Sequence, residues 1–263
     1  MVYNFQNLFR AVRPVLPANA DSWVRERLTG WEDFPPPDDG AWVKMYEHDV
    51  RVTLNALRDT EIGRCLLKSL NPKHALWLVP WRRDVCNAQT TYRSSDWERG
   101  VEIRYSPEIY DSHGCGRMPG YRRDESLFHE LVHASRQTRL SFDELSHDPL
   151  EQMDNREEFL AVMLSNSYRS ERGARKFNFD YLSDRLGSQI EVEQFLSSKR
   201  DYIEAIKYFL DDPLIKTVLN LPMPFNIFRD FRRLEAAYQN SATAHMDHLR
   251  DQFNPFSNLI HTE

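Results

Sequence analysis

Apolar and polar residues alternate near the middle of the chain in the pattern of a half-buried strand. Every second residue of 101–105 is apolar, which predicts a strand over 100–107 with one buried and one solvated face. The stretches 74–81 and 87–94 are short, rich in β-branched and aromatic residues and bounded by turn residues. Each predicts a further strand, so the three together predict a small sheet.

Other stretches repeat their apolar residues at the spacing of an α-helix. This pattern predicts helices over 60–70, 124–136 and 154–169. An Asn-Pro pair ends the first of them. Asp124 and Asp154 are the expected N-caps of the other two, because an aspartate side chain accepts hydrogen bonds from the unpaired N–H groups of a first turn.

Both ends of the chain are also predicted to be mainly helical. The prolines of "FPPPDDG", residues 34–40, predict a rigid loop ahead of the strands. The predicted helices of these end regions are 21–28, 195–210, 213–219 and 229–249. Strands grouped in one part of the chain and helices in the others predict the fold class α+β.

The amino-acid composition excludes several classes of protein function. Of the 263 residues 41% are hydrophobic and 28% charged, which is typical of a globular protein. The net charge is −6 and the basic residues are scattered, which argues against nucleic-acid binding. We expect no membrane span and no signal peptide, since no apolar run is long enough. Cys65, Cys86 and Cys115 lack CxxC spacing, which argues against a disulfide scaffold or a thiolate zinc site.

The string "SLFHELVHASRQ" carries the candidate chemistry. His129 and His133 are four residues apart, so both imidazoles lie on one side of a helix and can bind one metal ion. Glu130 follows the first histidine and can face a water molecule at that ion, take its proton and pass it to a leaving amine. The spacing favours a zinc site with a general base.

The alternative is an amphipathic helix that carries two histidines by chance. An HExxH string is expected in about 2% of shuffled chains of this composition, so the context decides. The apolar residues around the motif would bury the helix, and buried histidines without a partner are unfavourable unless a metal binds them. A metzincin pattern is excluded because Arg136 and Arg139 stand where it needs glycine and histidine.

A third ligand is expected from the helix predicted over 154–169. Glu157 and Glu158 lie in its first turn, and either carboxylate would complete a His₂Glu set with an open fourth position, as in catalytic zinc sites. We expect Glu157 to be the capping-box partner of Asp154, which favours Glu158 as the ligand.

The segments "HELVHA" and "EEFLAVMLSNSYRSE" resemble the gluzincin branch of the zincin metallopeptidases, in particular its bacterial effectors and toxins. The HEFGHA and EFFAEAF motifs of the anthrax lethal factor catalytic domain are similar, and so are those of the NleD-like group. "TEIGRCLLKSL" is similar to the T-x-x-G-x-x-L-L helix of that group. The resemblance covers about 60–171 and implies a zincin-like catalytic core over 50–171, a helical arm over 1–49 and a helical region over 172–263 packed on the core.

The resemblance also implies the roles of four residues. His129, His133 and Glu158 would be the zinc ligands, with Glu158 chosen because it directly precedes Phe159. Glu130 would be the catalytic general base. The implied cofactor is Zn²⁺.

Two positions depart from the family pattern. Val162 stands where many gluzincins have a carboxylate that orients a ligand histidine, and Glu151 stands where lethal factor has a tyrosine. The residue that stabilises the oxyanion is therefore open, and the candidates are Tyr121, Tyr168, Arg169 and Tyr181. The histidines expected at the surface are His113, His147, His245 and His248.

The function expected from this resemblance is that of a zinc-dependent endopeptidase, a bacterial effector or toxin made in the cytoplasm and delivered into a target cell by a specialised secretion system. The strand at 101–105 is expected to be an exposed edge strand that pairs with a peptide substrate. A secretion chaperone or an immunity protein is a further expected partner. The alternatives are a non-catalytic binding module of zincin fold and a metal-dependent hydrolase of peptidoglycan stem peptides.

Overall fold

The computed structural model describes the chain in ten ranges, to which all structural statements refer. They are 9–11, 40–80, 87–94, 99–112, 122–139, 153, 155–174, 177–178, 185–186 and 200–242. The chain forms two compact units, Met1–Phe142 and Asp143–Glu263. The class is mixed α+β, mostly helical with a small sheet. None of the described helices is long and apolar enough to cross a membrane.

The first unit combines a four-stranded sheet with helices. Its elements are β1 Phe9–Ala11, α1 Gly40–Arg58, α2 Glu61–Ser69, β2 Ala75–Val79, β3 Gln89–Ser94, β4 Arg99–Arg104, α3 Pro107–Ser112 and α4 Arg123–Thr138. The strand order is β1-β2-β4-β3, with β3 antiparallel to β4 and the other pairs parallel. Helix α4 packs on β3 and β4. The three predicted strands and the two predicted helices of this unit are confirmed.

The position predicted for β4 was wrong. This strand lies between β2 and β3, so among the described strands β3, and not β4, has an open side next to α4. Its predicted solvated face was wrong as well, because Glu102 and Ser106 are buried. Glu102 lies between Trp77 of β2 and Thr91 of β3, and it accepts a hydrogen bond from Arg104 Nε at 2.9 Å. The side chains of these cross-strand neighbours flank Glu102, and the ion pair with Arg104 makes its burial tolerable.

Helices α1 and α2 meet at a tight turn. Thr60 is the N-cap of α2, and its hydroxyl oxygen accepts a hydrogen bond from the backbone N–H of Gly63 at 3.1 Å. A Cβ atom at Gly63 would overlap the carbonyl oxygen of Leu57 in α1. The glycine is thus required by packing. Helix α1 itself was not predicted, and it runs across the predicted segment boundary at 49/50. The predictions for 21–28 and 34–39 lie outside the described residues.

The second unit is helical apart from one short hairpin. Its elements are α5 Arg156–Glu171, β5 Phe177–Asn178, β6 Arg185–Leu186, α6 Arg200–Phe209, α7 Pro213–Val218 and α8 Ile227–Ala242. Every residue of 159–170 is buried, which makes α5 the central helix of the unit. The predicted helices of this region are confirmed within the described residues, whereas 195–199 and 243–249 lie outside them.

Helix α5 is closed at its C-terminus by its own backbone. The N–H of Gly173 donates to the carbonyl of Ser170 at 3.0 Å, and the N–H of Ala174 donates to that of Arg169 at 3.0 Å. Gly173 has φ 83°, a left-handed conformation that glycine adopts easily. These are the hydrogen bonds of a Schellman motif.

Candidate metal centre

Helix α4 begins without help from a capping side chain. Its N-cap is Arg122, which makes no side-chain capping hydrogen bond. The prediction that Asp124 is the N-cap was wrong, since Asp124 lies inside the first turn. The start of the helix is held from outside instead: the Tyr105 hydroxyl donates to the Arg123 carbonyl at 2.9 Å, and the Tyr46 hydroxyl donates to the Tyr105 carbonyl at 3.0 Å.

These two tyrosines are buried beneath the start of α4. Burial raises the pKa of Tyr46 well above 10.0, and the nearby Glu108 carboxylate raises it further. Burial also raises the pKa of Tyr105 well above 10.0. Both phenols therefore stay neutral near pH 7 and keep donating their hydrogen bonds.

Two histidines of α4 bring one nitrogen each to a common point. His133 is buried and His129 is half-buried. Their Nε2 atoms lie 3.1 Å apart, and the ring planes are inclined by 75°. Two nitrogens that each lie about 2.0–2.1 Å from one tetrahedral ion are about 3.3 Å apart. The spacing of this pair is therefore close to that of two zinc ligands.

Glu130 is buried beside the histidine pair and has a hydrogen-bond partner on the sheet. The Thr90 hydroxyl of β3 lies 2.6 Å from Glu130 Oε2 and 3.0 Å from the Glu130 carbonyl oxygen. Within the described residues the second carboxylate oxygen, Oε1, makes no hydrogen bond. Such a carboxylate has one oxygen anchored and one available for a proton transfer.

Helix α5 starts one residue later than predicted. The N-cap is Asn155, whose side-chain oxygen accepts a hydrogen bond from the backbone N–H of Glu158 at 2.9 Å. The prediction of Asp154 as the N-cap was therefore wrong, and with it the capping-box argument for Glu157, since Glu158 occupies the third helical position. Glu157 is buried, with 1% of its surface exposed, whereas Glu158 is half-buried.

His129, His133 and Glu158 form a group that could hold a metal ion. Each offers one ligand atom, and these atoms all lie within 4.8 Å of one another. Two imidazoles and one carboxylate are the ligand set of a His₂Glu catalytic zinc site, and the same donors bind other first-row ions. The three residues predicted as ligands from the sequence are thus the three that the structure brings together.

The remaining predicted candidates are placed differently. The Tyr168 hydroxyl accepts a hydrogen bond from Arg172 at 3.0 Å. Tyr168 and Arg169 lie ten and eleven residues beyond Glu158 on one helix, which is about 15 Å along its axis. That distance argues against either as the oxyanion residue. Val162 is buried and offers no ligand atom. The other residues named in the sequence analysis that lie outside the described residues are Tyr121, Tyr181, Glu151, His113, His147, His245 and His248.

Thr90 was missed by the sequence analysis. It is 40 residues away from Glu130, and no local motif links the two. The one signal in the sequence is the alternation of β3, which places a polar Thr90 on the buried side of the strand opposite Ile103.

Comparisons with protein-family models, with curated proteins and with solved structures found no match to the chain.

Proposed function

We propose that the protein is a zinc-dependent endopeptidase in which His129, His133 and Glu158 bind the ion and Glu130 is the general base. The observation that carries the proposal is the convergence of the three ligand atoms within 4.8 Å. A chance HExxH string on a helix would bring two imidazoles together, but it would not supply a carboxylate at the same point. Among the described residues the group has three ligands, so the fourth position of a tetrahedral ion would be open, which is typical of catalytic and not of structural zinc.

The ion and Glu130 would have different roles in the hydrolysis. A bound zinc ion would polarise the substrate carbonyl and lower the pKa of a water molecule. Glu130 would take the proton of the attacking water on its free carboxylate oxygen and pass it to the leaving amine. Its burial supports this role, because a base surrounded by protein and not by solvent keeps the transferred proton in the site.

The biological role that we propose is that of a bacterial effector or toxin, delivered by a specialised secretion system into a target cell. The support is the resemblance of "HELVHA" and "EEFLAVMLSNSYRSE" to that group of gluzincins. A protein or peptide would be the substrate, and a secretion chaperone or an immunity protein would be the further partner.

Metal content tests the ligand set. Wild-type protein prepared without added zinc should contain about one zinc per chain, and His129→Ala should lose it. The matched control is His48→Ala, because His48 is an exposed histidine on α1 and should leave the metal content unchanged. A wild-type chain without metal, and with no rise in Tm on adding zinc, would contradict the endopeptidase and favour a non-catalytic binding module.

New peptide termini test the reaction. Wild type and Glu130→Gln are incubated with bacterial and eukaryotic lysates, and the termini are identified by mass spectrometry. Glu130→Gln should keep its zinc and lose about 10²- to 10⁴-fold of the activity, the range for a general base. Equal activity of the two would rule out the proposed mechanism. Release of stem peptides from isolated peptidoglycan, with no new protein termini, would move the substrate to the cell wall.

A further inference from the structure

We propose that Thr90 is a positioning residue for the reaction: its hydroxyl hydrogen-bonds Glu130 Oε2 and so aims the other carboxylate oxygen at the proton to be transferred. This inference rests on the proposed function, in which Glu130 is the base. It adds a residue from the sheet to a site otherwise built from helical residues.

The hydrogen bond has the length of a strong one. The Thr90 hydroxyl lies 2.6 Å from Glu130 Oε2, within the range of about 2.5–2.7 Å for a hydroxyl that donates to an ionised carboxylate. Glu130 is buried and Thr90 is half-buried, so water has limited access to this bond. In the described part of the chain it is the one hydrogen bond that the carboxylate makes.

The position of Thr90 on the strand fixes the direction of its hydroxyl. Thr90 pairs with the fully buried Ile103 of β4, and its side chain faces α4. A β-branched side chain in a strand has few rotamers. The second contact, 3.0 Å to the Glu130 carbonyl oxygen, places the hydroxyl against the helix at the same residue. Both acceptors of the single hydroxyl hydrogen therefore belong to Glu130, and the shorter distance is the one to the carboxylate.

A fixed carboxylate matters because glutamate is a flexible side chain. An unanchored glutamate rotates about three side-chain bonds, and the loss of that freedom opposes catalysis at each turnover. A misplacement of about 1 Å at a reacting centre is enough to reduce the rate about 100-fold. Thr90 removes this freedom through the sheet, which is the rigid element beside α4.

Kinetics separate positioning from mere packing. Thr90→Val removes the hydroxyl and keeps the shape, so it should lower kcat about 10- to 100-fold while KM and zinc content stay within about twofold. Thr90→Ser keeps the hydroxyl and should restore kcat to within about threefold of wild type. The matched control is Thr91→Val, the same change at the next residue, whose exposed side chain is on the opposite face of β3. A kcat for Thr90→Val equal to that of Thr91→Val would overturn the proposal.

Thermal melting tests the same bond without an assay of activity. Thr90→Val should lower Tm by about 2–4 °C in the wild-type background, the shift expected for one lost hydrogen bond in a chain of this size. In a Glu130→Ala background the same change should lower Tm by clearly less. Equal losses in both backgrounds overturn the inference. If Thr90→Val lowers Tm less in the Glu130→Ala background but the wild-type chain has no peptidase activity, the proposed function is overturned and the Thr90–Glu130 hydrogen bond is still supported.

Discussion

The two helices that carry the candidate ligands are held in different ways. Helix α5 is closed by its own residues, with the Asn155 side chain at its start and the Gly173 turn at its end. Helix α4 has no side-chain cap at its start, where the Tyr105 hydroxyl from the end of β4 holds its first turn, and Thr90 of β3 bonds to its middle.

The difference shows where the precision of each ligand comes from. The direction of Glu158 depends on the local hydrogen bond between Asn155 and its own backbone N–H. The directions of His129, Glu130 and His133 depend on the sheet and on helices α1 and α2, which pack against α4. Changes far from α4 in the sequence should therefore disturb the histidine pair, whereas changes next to α5 should disturb the glutamate.

Metal affinity should show the largest effect. His133→Ala and Glu158→Ala should each weaken zinc binding at least about 100-fold, since the loss of even an outer partner of a ligand weakens it 10- to 100-fold. Glu157→Ala should leave the affinity unchanged, because the buried Glu157 is not in the ligand group. Titration against a competing chelator measures this. If Glu157→Ala weakened binding as much as Glu158→Ala, the ligand from α5 would be wrongly assigned.

Replacing Gly63 or Gly173 by alanine should lower the free energy of unfolding for a different reason in each case. Gly63→Ala would push a Cβ atom into the Leu57 carbonyl and within 2.6 Å of Thr60 Oγ1, and overpacking of this kind destabilises by about 1–3 kcal/mol. Gly173→Ala meets no atom within 4 Å, so it should lose only the left-handed backbone preference, about 1–2 kcal/mol. Urea denaturation measures both. A neutral Gly63→Ala would contradict the packing of α1 on α2.

The caps should differ in their effect on stability. Asn155→Ala should lower the free energy of unfolding by about 1 kcal/mol, because the first-turn N–H of Glu158 loses its acceptor. Arg122→Ala should change it by less than about 0.5 kcal/mol, since Arg122 is exposed and makes no capping bond. Equal losses in the two variants would show that α4, too, depends on a local cap.

High pH should weaken the external support of α4. The pKa of Tyr105 is raised in the folded protein, so the folded state keeps a proton that the unfolded chain loses above its ordinary pKa of about 10. The stabilisation is thus complete below about pH 10 and is lost as pH rises beyond it. Tyr105→Phe should lower stability at pH 7 by about 0.5–1.5 kcal/mol and make the alkaline decline shallower. Denaturation curves from pH 7 to 11 measure both, and an unchanged slope would contradict the role of this phenol.

Local sequence patterns predicted most helices and strands, but they did not predict features that depend on contacts with other parts of the chain. The helical spacing of Ile62, Leu66 and Leu67 predicted α2 to within one residue at each end. The alternation in β4 predicted a strand, but its place between β2 and β3 depends on a parallel pairing that no local pattern encodes. Both N-caps were assigned to aspartates one or two residues away from the real ones, because several polar residues in a row can each fill that role.

The candidate site also contains residues that local spacing predicts and residues that only long-range contacts determine. The histidine pair could be predicted because the period of the helix alone sets the i, i+4 geometry. Glu158 was chosen with a capping argument that the structure contradicts, since the cap is Asn155, although Glu158 does lie in the group that could hold a metal ion. The Thr90 contact could not be predicted, because it joins a strand and a helix through the register of the sheet.

The external support of α4 has a consequence for the order of assembly. The two imidazole nitrogens lie 3.1 Å apart in a helix whose start is fastened to β4 and α1, so hydrogen bonds of the protein fix the spacing of two of the proposed ligands. Zinc fingers, in contrast, are unfolded until they bind their metal. If zinc binds here as proposed, the first unit should fold before it takes up the ion, and a chelator should abolish activity without unfolding it.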